Sequence, residues 1–311
     1  MAWRFTYGPV ASRRLGRSLG VDLVPSKTCN LNCIYCQLGP TARTTMVRSE
    51  YAPVSEVVEE VRTRLAQGPQ PDYVTLTGSG EPTLHSSFGA VAAGIRRVAD
   101  VPIALLTNGA LFYLPEVRGG CAAVDLILPT LDAGDEETFR RINRPHPDLT
   151  LARIVDGLAA LRRDFRGQLW LEVFVVEGVN TSPEQVAAIK SCIERIDPHR
   201  VQLNTAVRPP AERHVRAASA EVLERIQGML GPRAEIIAPT GGLHAVPGAL
   251  ARKDDVLAIL RRRPCTLDDI AAGLGIAREE AVHCVRALLD DGAIQSRQRR
   301  YETYYEAAGG S

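Results

Sequence analysis

The sequence predicts an α/β fold: a parallel sheet with helices outside, opened into a partial, TIM-like (β/α)6 barrel, with a small winged helix-turn-helix domain after it. Three observations predict this. Six short strand-like runs alternate with helix-period segments up to residue 205, the order that builds a parallel sheet. Six such units are too few to close an eight-stranded barrel, so an open one is expected. From residue 252 the texture changes to three short helices and a ribbon, the order of a winged helix.

Residues 1–20 read as basic and irregular, with Arg4, Arg13, Arg14 and Arg17 around Gly8-Pro9. Over residues 1–50 seven Lys/Arg face two Asp/Glu. Such an apron suits phosphates or a carboxylate, or is simply solvated. Gly20–Pro25 reads as the first strand. Val54–Leu65 is helical, with Val54, Val57, Val58, Val61 and Leu65 on one stripe. Tyr73–Thr77, Ile103–Leu106, Val124–Leu128, Leu169–Val176 and Arg200–Leu203 are the other five strands. Phe88–Val98 and Leu149–Asp164 are helical. Ser182 caps a helix that Pro183 opens and Asp197-Pro198 stops.

Beyond the strands, Ser219–Leu230 is a helix and Ala234–Ile237 a possible strand. Pro239–Gly242 and Pro247-Gly248 read as connecting loop. The expected domains are therefore 1–240, with a core at about 18–205, and 252–308. In the second, Asp255–Arg263, Leu267–Gly273 behind the Thr266 cap, and Ala277–Asp291 are helices, and Ile294–Tyr305 forms the wing.

With 37 Lys/Arg against 36 Asp/Glu, the whole-chain charge points to no partner class. An apolar content of 45% allows a sizeable core. No apolar h-region opens the chain, and no apolar run approaches the roughly 18 residues of a membrane helix. A cytoplasmic protein with no membrane partner is expected. Seven cysteines, odd in number and unevenly spread, point to reduced thiols and metal work rather than disulfides.

Three of those cysteines, Cys29, Cys33 and Cys36, fall within eight residues as C-x3-C-x2-C. Structural zinc wants four ligands in two pairs, and no second pair exists. Three close thiolates suggest an iron-sulfur cube held at three irons, with the fourth open. A chance cluster of buried cysteines is the plain alternative. The other strand ends carry Gly78-Ser79-Gly80-Glu81, Asn108, Thr130 with Asp132, Asn180, and Asn204. Any one of these suits an ordinary turn; together they line one rim.

The motif Cys29-x3-Cys33-x2-Cys36 after a first strand, with Tyr35 before the last cysteine, resembles the signature of the radical SAM superfamily. The resemblance covers roughly residues 18–205. It implies a [4Fe–4S] cluster on the three thiolates and S-adenosylmethionine on the open iron. Reductive cleavage would then give a 5′-deoxyadenosyl radical that abstracts hydrogen. It also implies oxygen sensitivity and a reductant such as flavodoxin or ferredoxin. Gly78–Glu81 matches the segment that binds the methionine amino group, with Ser79 in place of the middle glycine. Tyr35 stands where the backbone contacts adenine. Thr130 and Asp132 stand where ribose hydroxyls are bound, and Asn108, Asn180 and Asn204 are further cofactor or substrate candidates.

A narrower resemblance, to bacterial relatives of the tRNA wyosine synthases, rests on the run Gly8–Gly20, on Leu131-Asp132-Ala133 with Arg144-Pro145, and on Gln202-Leu203-Asn204 with Arg208-Pro209-Pro210. Those synthases carry a second cluster on upstream cysteines. Here no cysteine precedes Cys29, which argues against wyosine synthesis itself. The expected substrate is RNA or another nucleotide-bearing molecule. Two alternatives stand beside it: an iron-sulfur regulator binding DNA through the winged helix, and a peptide-modifying enzyme docking a peptide there. Residues 252–306 hold ten Lys/Arg and ten Asp/Glu, so the domain lacks the basic surplus of a DNA reader.

Overall fold

The alternating runs become an eight-stranded sheet whose strands lie in sequence order. The computed structural model describes residues 3–208, 210–237, 253–299 and 302–308. An antiparallel hairpin, β1 (Thr6–Ser12) with β2 (Gly16–Asp22), opens the sheet. Six strands then add in parallel: β3 (Tyr73–Thr77), β4 (Ile103–Thr107), β5 (Leu126–Pro129), β6 (Gln168–Val175), β7 (Arg200–Thr205) and β8 (Ala234–Ile236). Between them run α1 (Val54–Gln67), α2 (Phe88–Val98), α3 (Pro115–Gly119), α4 (Glu136–Asn143), α5 (Leu151–Asp164), α6 (Pro183–Ile196) and α7 (Ala220–Leu230).

Strand periodicity sorts the side chains. On β6, Leu169, Leu171, Val173 and Val175 join the large core under the helices, with Phe88, Ile95, Leu105 and Ile127. Each such side chain, fully buried, contributes about 2–3 kcal/mol of transfer free energy. Trp170, Glu172 and Phe174 therefore stand on the other face. There Leu15, Ala104, Leu126 and Leu128 pack with Tyr73, Leu106 and Trp170. Residues from β3 through β6 meet the β1–β2 turn because the sheet curls on itself. The Arg13 guanidinium donates to Ile237 O at 3.2 Å, from that turn to the end of the last strand.

Three features differ from the sequence reading. Residues 6–12 are not irregular but a strand, which pulls β2 back to begin at Gly16. The polar, Gly-Pro-containing run hides this, because β1 covers its face with partners distant in sequence. With β8 also paired, the sheet has eight strands rather than six. Finally, α4 was not expected. Asp135 caps it by accepting from Thr138 N, and Phe139 and Ile142 anchor it.

The C-terminal unit comprises α8 (Lys253–Leu260), α9 (Leu267–Leu274), α10 (Arg278–Asp290) and the antiparallel ribbon β9 (Ile294–Arg299) and β10 (Glu302–Ala307). Val256, Ile259, Ile270, Val285 and Leu288 form its core, and Val10 of β1 belongs to the same cluster. The unit is thus built onto the hairpin. Arg64 pairs with Asp255 at 3.0 Å, Arg208 with Asp269 at 3.3 Å, and Arg262 with Asp22 at 3.3 Å. The Arg262 guanidinium also lies 4.6 Å over the Tyr7 ring. The expected boundary at 240–252 lies outside the described residues, as do Pro209, Arg300 and Tyr301. No described helix is long and apolar enough to cross a membrane.

Candidate active site

The loop after β2 carries the three cysteines, and neighbouring chain holds it at many points. Leu31 and Ile34, 4% and 2% exposed, anchor it in the two clusters beneath. Lys27 N donates to Ser79 O at 2.7 Å and Glu81 N to Thr28 O at 2.9 Å, so the loop is laced to the segment after β3. On its other side Asn32 N donates to Asn143 O and Ile34 N to Ile142 O, both at 2.9 Å. These are the last residues of α4. Thr45 N donates to Cys29 O at 2.9 Å.

Gly80 makes this lacing possible. A Cβ there would sit 2.1 Å from Thr28 O. The sequence reading gave this glycine the task of admitting the cofactor; the structure shows it admitting the cysteine loop. Gly78, at φ +139, is pressed against Asp22, whose carboxylate accepts from Ser79 N at 3.1 Å and Ser79 Oγ at 2.6 Å.

Two amides aim at the sulfurs. Asn108 Nδ2 lies 3.6 Å from Cys29 Sγ, and Asn143 Nδ2 lies 3.4 Å from Cys33 Sγ. Leu31 N adds a third contact, 3.5 Å from Cys29 Sγ. Donors aimed at sulfur stabilise thiolates and tune a cluster bound to them. All three cysteines are free. Burial, then Glu81, push the Cys29 thiol up to about 12. Burial, then Asp132, push Cys33 well above the ordinary thiol range. Thiols held so high would ionise only beside a strong positive charge, of the kind an iron ion would supply. Among the described residues no three His, Cys, Asp or Glu side chains converge on one ion. A cube asks for something else, one thiolate on each of three irons. The residues present fit such a group.

Glu81 was expected to receive an ammonium. Its buried carboxylate is already gripped by the protein: Oε1 accepts from Thr83 N at 3.0 Å, Thr83 Oγ1 at 2.5 Å and Thr107 Oγ1 at 2.6 Å, and Oε2 from Asn108 N at 2.7 Å. It welds the end of β3 to the end of β4, and Oε2 retains room for a further donor. Asp132 is similarly engaged. Its carboxylate accepts from Tyr35 Oη at 2.5 Å, Asn143 Nδ2 at 2.8 Å and Phe174 N at 2.8 Å. Burial raises it to about 7, against the pull of those donors. Tyr35 stacks on Phe174 with centroids 3.9 Å apart.

Tyr35, Asn108, Thr130 and Asp132 line one small cleft, with a cavity volume of about 20 Å³, beside Leu31, Phe139 and Asn143. The other expected residues fall elsewhere. Asn180 spends its amide on the chain: Nδ2 donates to Asp132 O and Phe174 O, and Oδ1 accepts from Val176 N. It holds the turn after β6. Asn204 lies on β7 away from this cleft, with Oδ1 buried and unpartnered. The sequence reading missed Asn30, Asn143 and Phe174. Asn30 Oδ1 accepts from Asn108 Nδ2 at 2.6 Å. Asn143 had a signal, since it stands just before Arg144-Pro145 at the close of an amphipathic segment.

The sequence pattern of the Radical SAM superfamily matches residues 23–189. The chain is 34% identical over 292 residues to a protein of Brachyspira hyodysenteriae named GTPase Obg, covering 93% of this chain and 43% of that one. It is 34% identical over 222 residues to the UPF0026 protein MJ1312 of Methanocaldococcus jannaschii, covering 71% of this chain and 69% of that one. It thus spans less than half of the first relative and about two thirds of the second. A radical SAM methyltransferase from Sphaerobacter thermophilus superposes with a TM-score of 0.55 at 16% identity, over 72% of this chain and 67% of that chain, an agreement of fold.

Proposed function

The chain belongs to the radical SAM superfamily, and on that premise we propose that it is an enzyme which opens its chemistry by reductive cleavage of S-adenosylmethionine. The observation that carries this is the cysteine loop itself: three free thiols, two asparagine amides aimed at sulfur, and backbone lacing to Gly78–Glu81. A [4Fe–4S] cluster and S-adenosylmethionine, when bound, supply a 5′-deoxyadenosyl radical that takes hydrogen from a substrate. Cys29, Cys33 and Cys36 hold the cluster. Asn108 and Asn143 donate toward its sulfur ligands. Tyr35, Thr130 and Asp132 shape the cleft beside it and keep water out. A flavodoxin or ferredoxin is the electron donor in this reading.

Within the superfamily we place the chain beside the bacterial relatives of the tRNA wyosine synthases, on Gly8–Gly20 and Gln202–Asn204. The absence of cysteines before Cys29 sets it apart from the synthases themselves. We read the C-terminal unit as a winged helix fixed to the barrel, a docking surface for an RNA or a peptide rather than a DNA reader. Its α10 carries Arg278, Glu279, His283 and Arg286, a mixed face that phosphate alone would not select.

Anaerobic reconstitution with iron and sulfide tests the core of this. The wild-type chain should take up close to four irons and form 5′-deoxyadenosine with dithionite and S-adenosylmethionine. Cys33→Ala should lose both. A full cluster in the wild type with no 5′-deoxyadenosine would favour the iron-sulfur regulator instead.

A further inference from the structure

The inner face of β6 and β7 carries polar groups that the cysteine loop does not use. Because Leu171, Val173, Val201 and Leu203 take the core side, Glu172, Gln202 and Asn204 share the opposite face, with Glu172 level with Gln202 and Phe174 with Asn204. Gln202 is 2% exposed and Asn204 6%, yet Gln202 Oε1 and Asn204 Oδ1 have no partner. For Gln202 the orientation is chemically settled. Its Nε2 donates to Glu235 Oε1 at 2.8 Å, and a carboxylate only accepts. Gln202 therefore turns a bare acceptor into the barrel. Buried acceptors are rarely left empty, so this one asks for an N–H or O–H.

Near these acceptors, where Arg14 pairs with Glu172 beside Gln202, is a surplus of positive charge. Arg13, Arg14, Arg208 and Arg263 stand close enough to act on one another. Arg14 pairs with Glu172, and Arg208 with Asp269 at 3.3 Å, which leaves Arg208 Nε buried and unpartnered. Among the described residues no carboxylate makes an ion pair with Arg13 or Arg263. Arg13 is pushed down to about 10, by desolvation first and then by Arg14 and Arg208. Four guanidinium groups thus gather around two carboxylates. The group also adjoins the candidate active site, since the charge on Glu172 reaches Tyr35 and Asp132.

We propose that the inner face of the barrel binds a substrate with an oxyanion, a phosphate or a carboxylate, held by Arg13, Arg208 and Arg263, and with an N–H or O–H donor that fills Gln202 Oε1 and Asn204 Oδ1. What becomes of that substrate rests on the radical SAM reading; the binding does not. Guanidinium forks match either oxyanion in two parallel hydrogen bonds. The acceptor pair Gln202 Oε1 and Asn204 Oδ1 then orients the ligand along β7, across from Glu172.

Titration calorimetry on the reconstituted full chain at low salt tests this with four small probes. O-phosphoethanolamine and ethyl phosphate share a phosphate, but only the first carries a donor; β-alanine and propionate are the matching carboxylates. In each pair the donor-bearing probe should bind about tenfold tighter, and the stronger pair identifies the oxyanion. Arg13→Ala, on an exposed turn, should weaken every probe by about tenfold, the scale of one charge-assisted hydrogen bond. Gln202→Leu should erase the difference within each pair and leave ethyl phosphate unchanged. No binding by any probe, or binding indifferent to both substitutions, overturns the proposal. So does displacement of the probes by S-adenosylmethionine, which would give these arginines to the cofactor. The same titration on Cys33→Ala separates the two readings. Probe binding there, with no 5′-deoxyadenosine from the wild type, would sink the proposed chemistry alone.

Discussion

Gly80→Ala is the sharpest perturbation of the cysteine loop, because it adds one carbon where the structure has no room. The new Cβ would lie 2.1 Å from Thr28 O and 2.9 Å from Thr28 C. Contact normally begins near 3.4 Å, so the carbonyl must retreat by more than an ångström. That retreat breaks the bond from Glu81 N to Thr28 O and strains the one from Lys27 N to Ser79 O. Overpacking costs about 1–3 kcal/mol, and the broken and the strained backbone bond together up to about 2 kcal/mol. The expected destabilisation is up to about 5 kcal/mol, a large share of a typical domain's stability. Urea unfolding followed by circular dichroism measures it, and iron content after anaerobic reconstitution reads the loop directly. Iron should fall sharply, since Cys29 follows Thr28. Ser79→Ala is the control. It loses the 2.6 Å bond to Asp22, about 1 kcal/mol, and leaves the loop in place. Wild-type stability and iron content in Gly80→Ala would refute the claim that this glycine exists for the loop's approach.

Further outcomes follow from the same geometry. Asp132 has its folded pKa raised from 3.8 to about 7, so the fold prefers its protonated form. Its contribution to stability is full below pH 3.8 and is lost as pH rises toward 7. About 1.4 kcal/mol per unit puts the total near 4 kcal/mol. Asp132→Asn should flatten that fall in cluster-free protein, and an unchanged pH profile would remove Asp132 as its source. Arg262 and Asp22 are 11% and 10% exposed and 3.3 Å apart. Either Arg262→Ala or Asp22→Asn should cost about 3 kcal/mol. A double-mutant cycle should show coupling, and strict additivity would dissolve the pair. Cys33→Ala should abolish iron uptake while shifting the unfolding midpoint of the cluster-free chain only slightly.

Most of the fold was legible because the parallel strands are largely buried on both faces and end in turn residues. Val124–Leu128 and Leu169–Val176 announce themselves by apolar content alone. The hairpin strand β1 did not, since Thr6, Gly8 and Ser12 have no apolar rhythm, and Tyr7 and Val10 find their partners in the C-terminal unit. Helix α4 is only eight residues long, about two turns, too few repeats for its period to stand out.

The site was legible at Cys29, Cys33, Cys36 and Gly78–Glu81, where chemistry constrains the spacing. It was less so at Asp132 and Asn180. Both lie where rim residues were expected, but they spend their hydrogen bonds on Tyr35, Asn143 and the chain itself. Asn143 had only its place before Arg144-Pro145 to mark it, and Asn30 only its place beside Cys29, because a contact made across elements leaves no local pattern. The basic apron around Arg13 and Arg14 was open between function and solvation. The proposed anion site, which sets these arginines near Gln202 more than 180 residues away, is the reading that favours function.

The supports of the cysteine loop also order events in time. Asn108 is 79 residues downstream of Cys29, and Asn143 is 110 beyond Cys33. A ribosome adding about 5–20 residues per second leaves the cysteines without those amides for roughly 5–20 s. Arg262, which braces Asp22 behind Ser79, arrives later still. Iron delivered during synthesis would meet a loose eight-residue run of three thiols, Cys29 to Cys36, open to oxidation and to stray metals. On the proposed reading, insertion of a cluster would therefore wait for the finished chain, and the folded rim rather than the nascent motif would be the surface that receives it.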